Sequence, residues 1–115
     1  RSSHLLALGY FIEAKKDAER LIVTHPDVND SYYNLGLALQ MASKYPEADQ
    51  HYIHAIRLAP GEPLPYLNRG ALAFEQGLLI EAGDITRRAI VLDPINPLAY
   101  VNHGNTLKEL NLIML

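Results

Sequence analysis

The chain has 115 residues, 49% of them hydrophobic, and a formal net charge of −3 from 10 basic and 13 acidic side chains. That balance excludes the clustered Lys and Arg of a nucleic-acid surface, and no segment approaches the roughly 20 apolar residues needed to span a bilayer. Cysteine is absent, which excludes disulfide scaffolds, thiolate zinc sites and thiol nucleophiles. The first residues lack the basic, apolar and small-residue layout of a signal peptide. The expected compartment is therefore the cytoplasm, with no membrane and no nucleic-acid partner.

In sequence order, Leu5 and Leu8 precede Gly9, and a helix is predicted from about Phe11 to Val23. The turn signal His25-Pro26-Asp27 follows, with Asn29 or Asp30 as the N-cap of a helix over about 30–43. That helix carries Tyr32, Leu35, Gly36 and Leu39 at i, i+3, i+4 and i+7. Pro46 suits the first turn of the next helix, where its missing N–H is harmless. Ala48, Tyr52, Ala55 and Ile56 form that helix's apolar stripe before Pro60-Gly61 closes the pair. The next pair puts Tyr66, Gly70 and Ala73 on its first helix. Ala82, Ile85, Ala89 and Ile90 lie on its second, ahead of Asp93-Pro94. A last helix is predicted from Pro97 to about Leu110, with the apolar tail Asn111 to Leu115 behind it.

The pairs are copies of one another. Pro26, Pro60 and Pro94 are 34 residues apart, and so are Tyr32, Tyr66 and Tyr100, and Gly36, Gly70 and Gly104. The same interval separates Ala14, Ala48 and Ala82; Asn34, Asn68 and Asn102; and Glu13, Glu47 and Glu81. A period of this length marks stacked helical hairpins. The chain accordingly divides into a partial repeat at 1–28, repeats at 29–62 and 63–96, and a partial repeat at 97–115. The Gly column, which costs about 1 kcal/mol per helix interior, is expected to let a second helix approach closely. The small Ala column serves the same approach, and the Tyr column fills the larger gaps. Thr86 stands where Tyr52 stands one repeat earlier, so its layer is expected to be less well filled. Arg69 and His103 replace Leu35, which implies an amphipathic position.

These residues resemble the tetratricopeptide-repeat family, nearest to pattern in Tyr32-Tyr33-Asn34-Leu35-Gly36, Glu47-Ala48, Tyr52, Ala55 and Pro60. The resemblance implies an all-α fold, a right-handed superhelical solenoid of antiparallel helix pairs. Its first helices would line a concave groove that holds peptide segments of partner proteins. The run Gly104-Asn105-Thr106-Leu107-Lys108-Glu109-Leu110 is also similar to one in the repeat arrays of O-linked N-acetylglucosamine transferases, which carry an asparagine ladder along the groove. A clamp for a C-terminal carboxylate, used by chaperone-binding members, would need basic residues at Tyr33, Leu98 and Asn102. None of the three is basic.

If Tyr32, Leu35, Gly36 and Leu39 face the second helix, the opposite stripe faces the groove. The expected groove residues are Tyr33, Asn34 and Leu37; Leu67, Asn68, Ala71, Phe74 and Glu75; and Val101, Asn102, Asn105 and Glu109. Helix axes pack about 8–10 Å apart, and a strand rises about 3.3 Å per residue, so one Asn per repeat would meet roughly every third residue. An Asn amide both donates and accepts, which matches a peptide group. Glu75 and Glu109 favour a basic or neutral ligand. The alternative is that each Asn caps or bridges helices and binds nothing.

No catalytic constellation is visible. His51 and His54 lie three apart on what reads as the outward, solvent face of a helix, with no third metal ligand spaced with them. His4, His25 and His103 fall in three different repeats without a Ser or acidic partner. No phosphate-binding glycine loop occurs. Asp84 and Arg88, at i and i+4, read as an exposed ion pair. The expectation is a protein-binding module that is not an enzyme and takes no cofactor or metal. Two alternatives are the substrate-selecting region of a larger enzyme such as a protein glycosyltransferase, and a self-associating scaffold that forms a homodimer through its C-terminal helix.

Overall fold

A computed structural model describes residues 2–114, with side chains from 9 to 112. The described residues form six helices and no strand: α1 (Ser2–Thr24), α2 (Asn29–Met41), α3 (Tyr45–Leu58), α4 (Pro63–Glu75), α5 (Leu79–Leu92) and α6 (Pro97–Met114). They group into two compact units, Arg1–Pro60 and Gly61–Leu115.

In the first unit α2 packs against both α1 and α3. The residue with extended backbone ahead of α2 is Val28, whose apolar side group cannot cap, so the predicted cap at Asn29 or Asp30 is corrected. Those residues lie inside the first turn, where the Asp30 carboxylate favours the positive end of the helix. Pro46 sits in the first turn of α3 as expected. Tyr32, Leu35, Ala38 and Leu39 of α2 are buried, as are Ala48, Tyr52 and Ala55 of α3. Gly36 makes room for the Tyr52 ring: a Cβ there would stand 2.6 Å from Cε1 of Tyr52. The Tyr52 hydroxyl, at the end of that buried ring, donates to Gln40 Oε1 at 2.6 Å.

α1 begins well before the predicted Phe11. The segment ahead of it is rich in Leu and Ala, and Gly9 alone costs too little to stop a helix. The side chains of Leu5 and Leu8 lie outside the described residues. Among the described side chains of α1, Ala18 is buried, Phe11, Lys15 and Ile22 are half-buried, and Ala14 of the small column is exposed. The ammonium groups of Lys15 and Lys44 lie 6.0 and 5.8 Å from the Phe11 ring centroid.

In the second unit α5 packs against α4 and α6. Its core joins Leu67, Ala89 and Ala99, with Tyr66 and Ile90 packed on them. A Cβ on Gly70 would stand 2.6 Å from Cγ2 of Thr86. Thr86 is fully buried, and its hydroxyl lies 2.8 Å from the Ala82 carbonyl and 2.8 Å from His103 Nδ1. In this layer the smaller Thr86 meets Gly70 directly and its hydroxyl links α5 to α6 through His103. Two other expectations are corrected. Gly104 is exposed with nothing near its missing Cβ, and Tyr100 is 49% exposed with its hydroxyl donating to the Pro94 carbonyl. α6 runs on through most of the predicted tail, exposing Leu107 and Leu112. Leu115 and the side chains of Ile113 and Met114 lie outside the described residues.

Both helix pairs turn in the same way. Ser43, after α2, has φ of 60°, and Gly77, after α4, has φ of 78°. Lys44 N–H then reaches the Leu39 carbonyl and Leu78 N–H the Ala73 carbonyl, each at 2.9 Å. These are left-handed C-terminal caps that satisfy the last helical carbonyls.

Candidate functional site

A cavity of about 300 Å³ opens between α4 and α6, lined by Gly70, Ala71, Phe74, Glu75, Asn102, Asn105 and Thr106. Helical spacing builds both walls. Gly70, Ala71, Phe74 and Glu75 share one face of α4, and Asn102, Asn105 and Thr106 stand at i, i+3 and i+4 on α6. Thr106 is fully buried and donates its hydroxyl to the Asn102 backbone carbonyl at 2.9 Å. The side-chain amides of Asn102 and Asn105 take part in no hydrogen bond among the described residues, and Glu75 and Glu109 form no ion pair there.

Five of the expected groove residues therefore meet in one cavity: Ala71, Phe74, Glu75, Asn102 and Asn105. Four others of this unit do not line it. Leu67 is 4% exposed and packs with Ala89 and Ala99, so its assignment to a ligand-facing stripe is corrected; it belongs to the core. Asn68 is half-buried and donates Nδ2 to the Leu64 carbonyl one turn back at 3.1 Å, a bond within its own helix. Val101 is exposed, and Glu109 is half-buried one turn beyond Asn105. In the first unit Asn34 is exposed, Leu37 is half-buried, and the Tyr33 ring lies 6.0 Å from that of Tyr52.

Two lining residues lie outside the stripe expected from the sequence. Gly70 falls in the packing column and lines the cavity as well. Thr106 follows Ala38 and Leu72 at the repeat interval, and a hydroxyl in an otherwise apolar column was the available signal.

His54 is exposed, as expected of the outward helix face, and it also stacks on Tyr32, with ring centroids 3.9 Å apart and planes 6° apart. His51 is half-buried, and its pKa is lowered from 6.5, first by burial and then by the neighbouring His54, against the raising influence of Glu19 and Glu47. The described residues hold no cluster of metal-ligating side chains. The side chain of His4 lies outside them. Asp84 faces Arg87 rather than Arg88, at 4.0 Å and well exposed, a geometry worth little stability. No helix among the described residues is long and apolar enough to cross a membrane.

Helix pairs repeating every 34 residues, each with a small residue where its two helices approach, are the tetratricopeptide-repeat fold. The first TPR of Spaghetti (RPAP3), solved with the HSP90 peptide SRMEEVD, matches with a TM-score of 0.85 at 22% identity, over 95% of this chain and 86% of that one. The Yersinia enterocolitica secretion chaperone SycD, solved with a peptide of the translocator YopD, matches with a TM-score of 0.82 at 20% identity, over 96% of this protein and 90% of that one. The sequence is 34% identical over 92 residues to the Hsp70-Hsp90 organizing protein of Triticum aestivum. That alignment takes in 80% of this chain but 16% of the wheat protein. No protein-family model matches the sequence. None of these relatives is a glycosyltransferase, so the narrower likeness carried by Gly104 to Leu110 gains no support.

Proposed function

We propose that this protein is a non-catalytic interaction module that holds an extended segment of a partner protein, with the α4–α6 cavity as its principal contact. One observation carries this reading: Asn102 and Asn105 present amides without hydrogen-bond partners among the described residues, in the cavity that Phe74 also lines. Such amides pair with the backbone N–H and C=O groups of any sequence, and the aromatic wall adds apolar contact. The repeat boundaries at 29, 63 and 97 belong to the same proposal.

The names of the wheat relative and of the Spaghetti complex point to Hsp70 and Hsp90 as one class of partner. The residues argue for a different grip. Tyr33, Leu98 and Asn102 supply no cation for a terminal carboxylate, so the segment is held through its backbone and side chains, away from its end. Display selection of random peptides against the folded protein, followed by calorimetry, tests this. Selected internal segments are expected to bind, and to lose about tenfold in affinity when Asn102 and Asn105 are both replaced by Ala. SRMEEVD is expected to bind weakly and equally as free acid and as amide. Selection of nothing, or tight binding of the free acid alone, overturns the proposal.

A further inference from the structure

We infer that the α4–α6 cavity is an anchor for one basic side chain, lysine or arginine, of the bound segment. The inference rests on the segment-binding reading and names the chemistry of its main subsite. The lining offers a floor of small residues, Gly70 and Ala71, and one aromatic wall, Phe74. Lysine and arginine bury their methylene stems along such apolar surface and keep the charged end near polar groups. The polar groups are present: the Asn102 and Asn105 amide oxygens accept, and the Glu75 carboxylate lines the same space. Glu109, one turn past Asn105 on α6, is a second carboxylate on that helix, outside the lining. Arg69 and Lys108, the cations on these two helices, do not line the cavity.

Other occupants fit less well. An acidic side chain would meet Glu75 as a like charge. A purely apolar one would strip water from the carboxylate and both amides and give them no partner. The repeat pattern points the same way. Phe74 follows Gln40, Glu75 follows Met41, and Asn105 follows Ala71 and Leu37 at the 34-residue interval. Gly70 and Asn102 belong to constant columns, while Phe74, Glu75 and Asn105 come from columns that vary. The acidic and aromatic chemistry is thus particular to this cavity and is not demanded by packing.

The test uses the whole protein, 15N-labelled, titrated with the blocked amino acids N-acetyl-lysine and N-acetyl-arginine methylamide. The norleucine and glutamate counterparts serve as controls. The basic probes are expected to move the side-chain amide signals of Asn102 and Asn105 and the backbone signal of Gly70, and the controls to leave them in place. Glu75→Gln, on an exposed carboxylate, is expected to weaken the basic probes about fivefold while the rest of the spectrum stays unchanged. Within a display-selected segment, replacing its basic residue by norleucine is expected to cost a similar factor. If selected segments bind at Asn102 and Asn105 yet tolerate norleucine and Glu75→Gln, the anchor is overturned and the segment reading stands. If neither probes nor segments bind, both fall.

Discussion

The Thr86 hydroxyl lies 2.8 Å from Nδ1 of His103, and these two residues are departures from the repeat that meet each other. Thr86 replaces the tyrosine of the previous repeat and His103 replaces its leucine. The hydroxyl also sits 2.8 Å from the Ala82 carbonyl, which can only accept, so its proton goes there. His103 must then donate its Nδ1–H to the hydroxyl oxygen. Thr86→Val removes that acceptor and leaves a half-buried donor unpaired, at an expected cost of about 1–2 kcal/mol. His103→Leu restores the residue of the earlier repeat and should cost less. In urea melts the double variant is expected to be more stable than the sum of the singles implies, by at least about 0.5 kcal/mol. Simple additivity would show that the two changes are unrelated.

The glycine column divides into two behaviours. A Cβ on Gly36 would strike the Tyr52 ring, which is buried and tethered through Gln40, so the ring cannot swing aside. A Cβ on Gly70 would strike Thr86, held by its own hydrogen bonds. Gly36→Ala and Gly70→Ala are each expected to destabilise by about 1–3 kcal/mol. Gly104→Ala meets nothing and gains helix propensity, up to about 1 kcal/mol. Denaturant midpoints of the three variants decide it, and equal effects at all three positions would refute the packing argument.

Ser43 and Gly77 occupy the same left-handed cap position one repeat apart, and only one of them is the residue that suits it. Ser43→Gly relieves the strain between Cβ and the backbone at positive φ. It should stabilise by about 0.5–1 kcal/mol, seen as a rise of a few degrees in melting temperature. Gly77→Ala should do the reverse. A fall on Ser43→Gly would mean that the serine hydroxymethyl group contributes more than its backbone strain costs.

The limits of the sequence reading show in single columns. Tyr33, Leu67 and Val101 lie at one repeat position, yet they are half-buried, buried and exposed in turn. Periodicity assigns a residue to a helix and to a face, but what covers that face depends on neighbours that need not repeat. Gly36 and Gly104 differ for the same reason. The pairing of helices was legible because Gly opposite a large or branched side chain is a local steric requirement. The cavity was legible in part, since Asn102, Asn105, Phe74 and Glu75 follow from helix spacing alone. For Thr106 the sequence offers only a hydroxyl in an otherwise apolar column, and that it lines the cavity depends on how α6 lies against α4. The ends of α1 and α6 were missed for want of any residue that stops a helix.

His51 provides a pH signature. It sits half-buried on α3, where burial and the nearby His54 lower its pKa below 6.5, while Glu19 and Glu47 pull the other way without prevailing. A histidine with a lowered folded-state pKa binds protons more readily when the protein unfolds. Its contribution to stability is therefore fully present above pH 6.5 and is lost as pH falls from there toward the folded-state pKa. Urea midpoints are expected to decline as pH is lowered from about 8 to about 5, a range above the ordinary titration of Asp and Glu. His51→Gln should flatten that decline, and His54→Gln should reduce it by removing the second imidazolium. An undiminished slope in His51→Gln would assign the pH dependence to another group.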